Sequence, residues 1–430
     1  MPRARRQRML LDLLESRRLF TVVPVTGTAG PDEISISVTG GMVNINVNGA
    51  GSALPDASVT GIEIQSLGGD DKITILSNTD NPVTIIAGDG NDTITAAIAD
   101  PNLSSPVFDV RGGAGEDRVS LTDPNNNFTD RWTVTAGLIT RTFFAGLLYV
   151  DTEYVTVTAG PVLNRIDILS TTPGIVTRIN GGGGDDDFRV LGTSSTPVLI
   201  DGQAGLDDVF VNDIDTGVSL ARLVGDQDLD VVNVQGGELS MDDQQFHVAV
   251  MNSMEVNLTA LFDVGVCAAI VDWTGFNPLP NIRADIGNAY LGGTWNGRGV
   301  TSSVARTQMN AGVGYAESTQ LFTNFPAVYA GVNIDDTAVI IRFALSGDSN
   351  LDGTVNIGDF ARLAANFNQS PRDWFGGDYN YNDTTNIGDF SLLAGNFNQA
   401  LPGRAAPVAP ANAARDGEPA KLDRIAATVL

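Results

Sequence analysis

The feature that most constrains the fold is a glycine-rich turn that ends in aspartate, leads into a β-branched strand and recurs along the first 260 residues. Two examples are "GDGNDTITA" and "GGAGEDRVSL". The aspartates of the six copies are Asp71, Asp92, Asp117, Asp186, Asp207 and Asp230. They are 21, 25, 69, 21 and 23 residues apart, and the long step equals three steps of 23. A period in the twenties predicts a parallel β-solenoid, in which each turn stacks on the next.

The residues around each aspartate fit this prediction. Apolar residues follow at alternate positions, as in Ile73 and Ile75 or Val209 and Val211, and would form ladders facing the core. Stacking would place equivalent carboxylates roughly 4.8 Å apart, where they repel each other. A Ca²⁺ ion, which binds carboxylate and carbonyl oxygens, would relieve that repulsion. The alternative is that the aspartates are solvated corner residues of a glycine-rich solenoid.

Composition excludes several classes of function. The formal net charge of −26 repels nucleic acid and anionic lipid and attracts divalent cations. The chain has one cysteine, Cys267, so no intrachain disulfide can form, and one histidine, His247, so no histidine-based metal site is expected. No apolar run reaches about 18 residues, and no membrane span is therefore expected.

The repeats resemble the hemolysin-type (RTX-like) calcium-binding family, whose repeat is Gly-Gly-x-Gly-x-Asp. That family places two motifs in each short turn, whereas this chain has one motif in each longer turn. The resemblance therefore implies calcium on at most one edge of the solenoid, and the six repeat aspartates are the weaker metal candidates.

A second repeat lies near the C-terminus, where "GDSNLDGTVNIGDF" and "GDYNYNDTTNIGDF" begin 30 residues apart. We refer to residues 348–359 as loop one and to residues 378–389 as loop two. Oxygen-bearing residues at positions 1, 3, 5, 7, 9 and 12 match the ligand spacing of an EF-hand calcium loop. In loop one these are Asp348, Asn350, Asp352, Thr354 through its carbonyl, Asn356 and Asp359. In loop two they are Asp378, Asn380, Asn382, Thr384, Asn386 and Asp389.

The two loops are not expected to bind calcium equally. Loop one offers three carboxylates at ligand positions and has Gly353 at position 6, where a sharp turn is needed. In loop two, Asn382 replaces an acid and Asp383 replaces the glycine. We therefore expect tighter binding in loop one. A helix is expected after each loop, since Phe360, Leu363, Ala364 and Phe367 recur at helical spacing and the second copy repeats them.

This pair of loops and helices, together with the aromatic linker "RDWFGGD", is similar to the type I dockerin family. The resemblance implies that Ca²⁺ folds the segment and that its helices bind a cohesin-like domain of a partner protein. Many dockerins carry Ser-Thr-like pairs at loop positions 10 and 11, where this chain has Ile357-Gly358 and Ile387-Gly388. These four residues are the predicted partner-binding residues. The more apolar contact implies a divergent cohesin or docking within the chain itself.

The chain is thus predicted to be mainly β, with a parallel β-solenoid, a small β-rich module and a small α dockerin domain with paired EF-hand-like loops. The predicted segments are an Arg-rich targeting segment at 1–24, the solenoid at 25–260, the module at 261–345, the dockerin at 346–400 and a flexible tail at 401–430. Near the N-terminus, "LLESRRLF" resembles the Leu-Glu-x-Arg-x-Leu-Leu segment of exported bacterial proteins. That resemblance implies an extracellular or cell-surface location.

Three functions are compatible with these features. The favoured one is an exported, non-catalytic calcium-binding attachment protein that docks onto a cohesin-like partner. The second is a polysaccharide-active enzyme of a cellulosome-like system, either a glycoside hydrolase that cleaves O-glycosyl bonds or a β-helix lyase. The third is a glycan-binding adhesin. Hydrolysis needs two carboxylates beside a cleft, and most paired acids here lie in repeat turns, so no catalytic residue is assigned.

Overall fold

The structure, a computed structural model, describes residues 21–76, 81–98, 107–125, 127–212, 218–241 and 245–401. The predicted targeting segment at 1–24 lies outside the described residues except for its last four. The predicted tail at 401–430 lies outside them except for Leu401. Strands and large, mostly parallel sheets dominate the described residues, which confirms the mainly β prediction.

The first fourteen strands are β1 (Thr21–Thr26), β2 (Glu33–Thr39), β3 (Met42–Val47), β4 (Ala50–Pro55), β5 (Val59–Gln65), β6 (Lys72–Ile75), β7 (Val83–Asp89), β8 (Thr93–Ala97), β9 (Val107–Ala114), β10 (Arg118–Thr122), β11 (Asp130–Thr135), β12 (Leu138–Arg141), β13 (Phe144–Val150) and β14 (Tyr154–Thr158).

The later strands are β15 (Asn164–Ile168), β16 (Val176–Asn180), β17 (Asp187–Val190), β18 (Val198–Asp201), β19 (Asp207–Val211), β20 (Leu220–Leu223), β21 (Gln227–Val234), β22 (Glu238–Met241), β23 (Val248–Val256), β24 (Leu261–Asp263), β25 (Ala268–Asp272), β26 (Gly299–Thr301), β27 (Ala311–Glu317), β28 (Ala327–Tyr329), β29 (Val332–Ile334) and β30 (Ala338–Leu345). The helices are α1 (Leu279–Tyr290), α2 (Ser303–Thr307), α3 (Ser318–Leu321), α4 (Ile357–Ala365) and α5 (Ile387–Asn396).

The chain divides into two compact units. The first unit comprises residues 1–126 and 137–157, and the second comprises residues 127–136 and 158–430. The division therefore falls inside the segment 25–260, and residues 261–400 belong to the same unit as the later repeats.

Successive strands of the first unit alternate between two sheets. Strands β5, β7 and β9 pair in parallel in one sheet, and β6, β8 and β10 pair in parallel in the other. In the second sheet Ile34, Ile73, Ile94 and Val119 occupy one register position across four strands. All four are buried, which confirms the inward-facing ladder predicted from the period-two pattern.

The second unit repeats this alternation over a longer stretch. Strands β15, β17, β19, β21, β23 and β25 are neighbours in one sheet, and β16, β18, β20, β22, β24 and β26 are neighbours in another. Phe188 pairs with Val209 and Val190 with Val211, and all four side chains are buried. The parallel order ends at β25, which pairs with β30 in antiparallel orientation, and β30 then pairs with β27 in the same way.

Residues 346–400 follow β30 directly and pack against residues 261–345. The Tyr381 hydroxyl accepts a hydrogen bond from the Val313 amide and donates one to the Val313 carbonyl, both at 3.0 Å. The side-chain amide of Asn396 donates to the carbonyls of Asn310 and Ser346. Gly314 leaves room for this packing, because a Cβ there would lie 2.4 Å from a Leu351 methyl carbon.

No helix among the described residues has both the length and the apolar character needed to cross a membrane.

Candidate metal centre

Loop one is held closed by its own oxygen atoms. The buried Asp348 carboxylate accepts hydrogen bonds from the amides of Asp352 at 3.0 Å and Gly353 at 2.8 Å. Gly353 has φ of 83°, which glycine adopts without steric cost. The Asp352 carboxylate in turn accepts from the amide and hydroxyl of Thr354, at 2.8 and 2.6 Å. The acidic residues of this loop therefore converge on its interior.

Loop two repeats these hydrogen bonds. The Asp378 carboxylate accepts from the amides of Asn382 at 3.0 Å and Asp383 at 2.8 Å. Asn382 accepts from the Thr384 amide at 3.0 Å, as Asp352 does from Thr354. Asp383 takes the place of Gly353 and has φ of 67°, so the left-handed turn is kept without glycine. Glycine in loop one and aspartate in loop two therefore give the same left-handed turn at position 6.

A helix begins within the last residues of each loop. Asn356 and Asp359 form a capping box at the start of α4, and Asn386 and Asp389 form one at the start of α5. The Asp359 carboxylate also accepts from the Ser349 amide at 3.0 Å, which ties the last ligand position to the first turn of the loop. Positions 9 and 12 thus define both the loop and the helix that follows.

The carboxylates at the first and last positions are difficult to ionise. The pKa of Asp348 is raised to about 7, chiefly by burial; the charge of Arg342 lowers it, and the nearby carboxylates of Asp352 and Asp359 contribute to the rise. Burial likewise raises the pKa of Asp359. In loop two, burial raises the pKa of Asp378 to about 6, with an added contribution from Asp389. A nearby cation would stabilise the ionised form of these groups.

Oxygen donors of several kinds are needed for a metal in these loops. Among the residues that the structure describes, no three Asp, Glu, His or Cys side chains form a group that could hold an ion by themselves. A site in loop one would therefore use the amide oxygens of Asn350 and Asn356 and the Thr354 carbonyl beside its carboxylates. Such mixed oxygen ligands suit Ca²⁺, and the buried, mutually repelling carboxylates of loop one fit a divalent cation.

The predicted partner-binding residues lie on the surface. Ile357 is 68% exposed and Ile387 is 66% exposed. Gly358 is exposed and Gly388 is half-buried. Between the helices the rings of Phe360 and Phe390 meet edge to face, with centroids 6.1 Å apart. The two loop–helix copies thus present matching apolar residues to solvent.

The repeat aspartates of the first unit form a buried row. The Asp92 amide donates to the Asp117 carboxylate, and the Asp71 amide donates to the Asp92 carboxylate, both at 2.8 Å. The row continues to the Asp32 amide, which donates to Asp71 at 2.8 Å. At the other end the Asp117 amide donates to Glu153 at 2.7 Å. Each carboxylate therefore connects its own turn to the preceding one.

A second row lies in the second unit. The Asp186 amide donates to the Asp207 carboxylate at 2.8 Å, and the Asn164 amide donates to Asp186 at 2.7 Å. Asp230 does not extend this row. It is exposed and accepts from the side chain of Asn252, because the register between β19 and β21 shifts after Asp207. Gln227 instead accepts from the preceding turn, through the Gly202 amide at 2.9 Å.

The second oxygen of these carboxylates lies against glycine in a buried environment. A Cβ on Gly202 would lie 1.9 Å from Asp207 Oδ2, and one on Gly181 would lie 2.3 Å from Asp186 Oδ2. The Oδ2 atoms of Asp92, Asp117 and Asp186 are buried and have no hydrogen-bond partner among the residues that the structure describes. Burial raises the pKa of Asp92 to about 6 and that of Asp186 to about 8. Calcium binding by the six repeat aspartates remains a prediction.

The sequence pattern missed Asp32 and Asn164 in these rows, as well as the acceptors Glu153 and Gln227. Asp32 lies in "GTAGPDEISI", which has the same glycine and aspartate spacing as "GGAGEDRVSL", so closer alignment would have found it. Asn164 carries an amide in place of the carboxylate and follows "GPVL", which gives a much weaker signal.

Comparisons with protein-family models, with curated proteins and with solved structures give no match to this chain.

Proposed function

We propose that this chain is a calcium-binding attachment protein in which loop one holds the ion and the surface around Ile357 and Ile387 binds a partner domain. The observation that supports this most strongly is the duplicated hydrogen-bond pattern of the two loops. The same donors and acceptors recur 30 residues apart and end in the same capped helix. This duplication is what we expect of two related calcium-binding loops.

In loop one, Asp348, Asp352 and Asp359 would hold the ion together with the oxygens of Asn350, Thr354 and Asn356. The ion supplies positive charge to three carboxylates, two of which are buried. The loop supplies a preformed turn, because its carboxylates already bind the backbone amides that shape it. Loop two has the equivalent residues but fewer carboxylates at ligand positions, and we propose that its affinity is lower.

For the partner we propose a cohesin-like domain. Ile357 and Ile387 occupy the same place in the two copies, and both are exposed. Because the copies are nearly identical, a partner could bind in two orientations related by exchange of the helices. The apolar character of the surface calls for an apolar surface on the partner.

The repeats before residue 260 would serve as a spacer. We propose a parallel β-solenoid in each unit, on the basis of the alternation of successive strands between two sheets and the rows of buried aspartates. An exported protein at the cell surface is the setting we infer from the dockerin resemblance and the N-terminal segment.

The partner surface is tested by surface plasmon resonance of the full chain against a panel of purified cohesin domains, in calcium and in chelator. We expect calcium-dependent binding by one or more domains and at least a 100-fold loss in the double variant Ile357→Asp/Ile387→Asp. Phe276→Asp is the matched control, because Phe276 is 97% exposed on a different segment. Equal loss in the control, or binding unchanged in the double variant, would contradict the proposed surface.

One feature favours action on a polysaccharide as a second candidate function. A cavity of about 420 Å³ in the second unit is lined by Asp187, Asp208, Asp230 and Arg165, among others. Burial raises the pKa of Asp208, and the charge of Asp230 adds to this. Two neighbouring carboxylates of this kind could serve glycoside hydrolysis. Release of reducing sugar from a polysaccharide panel, abolished by Asp208→Asn, would favour this candidate over the first.

A further inference from the structure

We propose that loop two carries its own counter-charge, the guanidinium of Arg283, in place of a tightly bound calcium ion. This inference rests on the proposed function, since it assumes that calcium is the ligand of loop one. It assigns to loop two a structural role, the attachment of residues 346–400 to residues 261–345 of the same chain.

Arg283 lies on α1, about 100 residues before loop two in the sequence. Its Nη2 atom lies 3.8 Å from Asp378 Oδ2 and also forms an ion pair with the carboxylate of Asp383. The same nitrogen donates a hydrogen bond to the carbonyl of Arg372, in the linker between the two copies. Asp378 is fully buried. Among the described residues, Arg283 is the basic side chain that lies within ion-pair distance of it.

This contact gives a reason for the aspartate at position 6 of loop two. Glycine would suit the left-handed backbone there better than aspartate does. The Asp383 carboxylate reaches Arg283, whereas Gly353 of loop one has no side chain to do so. Of the two residues that depart from the loop pattern, Asn382 and Asp383, it is Asp383 that forms the ion pair.

Loop one has no such pair. Among the described residues, no Lys, Arg or His side chain lies within ion-pair distance of Asp348, Asp352 or Asp359. The nearby buried guanidinium of Arg342 donates to the Leu351 carbonyl and the Tyr329 hydroxyl, both at 3.1 Å, and its charge lowers the pKa of Asp348 without forming an ion pair with it. Loop two therefore has an ion pair at its ligand carboxylates, and loop one has none among the described residues.

Other contacts hold the segment in place when Arg283 is changed. Tyr381 remains bonded to the Val313 backbone, and the Gln320 side chain donates to Asp373 at 2.8 Å. The Trp374 indole donates to the Asp348 carbonyl at 2.8 Å. A variant of Arg283 is thus expected to fold, with its effect confined to the charge of loop two.

The experiment is a calorimetric titration of the full chain with Ca²⁺, comparing the natural sequence with Arg283→Met, Arg283→Lys and the control Arg298→Met, which changes an exposed arginine. We expect Arg283→Met to bind calcium at loop two at least tenfold more tightly than the natural chain, and the other two variants to be unchanged. Adding Asp378→Asn to Arg283→Met should remove the gained site, which assigns it to loop two.

Melting curves in chelator give a second readout. Arg283→Met should melt lower than the natural chain in chelator and recover when calcium is added, while Arg283→Lys should do neither. The inference is overturned if the natural chain already binds two ions with equal affinity, or if Arg283→Met leaves loop two unchanged. Absence of calcium binding to loop one in every variant would instead refute the proposed function.

Discussion

The buried aspartate rows and the paired loops use the same pair of residues, glycine and aspartate, in different ways. In the rows, each carboxylate accepts an amide from a neighbouring turn 21 to 39 residues away, as in Asp92 with Asp71 and Asp117 with Asp92. In the loops, Asp348 and Asp378 accept amides four and five residues further along the same loop. The first arrangement joins turns, and the second shapes a single loop.

This difference has a consequence for charge. A row carboxylate has one oxygen bonded to the preceding turn and the other against glycine, so the hydrogen bond between turns does not require the carboxylate to be ionised. In loop one, three carboxylates fall at ligand positions within twelve residues and have no ion pair among the described residues. The hydrogen bonds that join the turns of a row can therefore form without an ion, whereas a cation would stabilise the ionised carboxylates of loop one.

The largest effect that separates the two regions is expected from Asp207→Ala. The change leaves the buried Asp186 amide without its acceptor, which should lower the free energy of unfolding of the second unit by about 2 kcal/mol. Thermal unfolding should show the same loss in calcium and in EDTA. Asp230→Ala, at the exposed copy, is the matched control and should change stability by less than about 0.5 kcal/mol. A loss seen only in calcium would mean that the row holds an ion.

A smaller effect is expected from pH. Burial is the largest cause that raises the pKa of Asp186 to about 8 and that of Asp207 to about 6. The folded protein thus holds these protons more tightly than the unfolded chain does. The contribution of these groups is fully present below their unfolded pKa near 4 and is lost as the pH rises through 6 and 8.

In chelator, the free energy of unfolding of the second unit should fall by about 1 kcal/mol or more between pH 5 and pH 9. Asp186→Asn should flatten this slope, because the amide oxygen still accepts a hydrogen bond but the side chain does not titrate. Asp336→Asn changes an exposed carboxylate and should leave the slope as it is. Denaturant unfolding at several pH values measures it, and a stability that rises over this range would contradict the neutral row.

Features set by nearby residues could be predicted from the sequence. The alternating apolar residues predicted the buried ladders. The spacing of the oxygen-bearing residues predicted the position of both loops and the start of α4 and α5. The helix face was only partly predicted: Leu363 and Leu393 are buried, but Phe367 and Phe397 are exposed and lie beyond the helix ends. The side chains that close these loops are at most ten residues from their partners, so local pattern was sufficient.

Features set by distant residues could not be predicted. The exposed position of Asp230 follows from a register shift between β19 and β21, which the spacing of aspartates does not reveal. The ion pair of Arg283 with loop two joins residues 100 apart, and the packing of Trp374 and Tyr381 depends on where β27 and β30 lie. Nothing in the local sequence of loop two identifies its cation.

The central claim is that loop one binds calcium, and the most direct test is calorimetric titration of the full chain with Ca²⁺ beside the single variant Asp352→Ala. The natural chain should show a tight site that the variant lacks. Because residues 346–400 pack against residues 261–345, the variant should keep its helical circular dichroism, whereas the dockerin resemblance alone implies that the segment unfolds. The same tight site in both proteins, or no tight site in the natural chain, would contradict the claim.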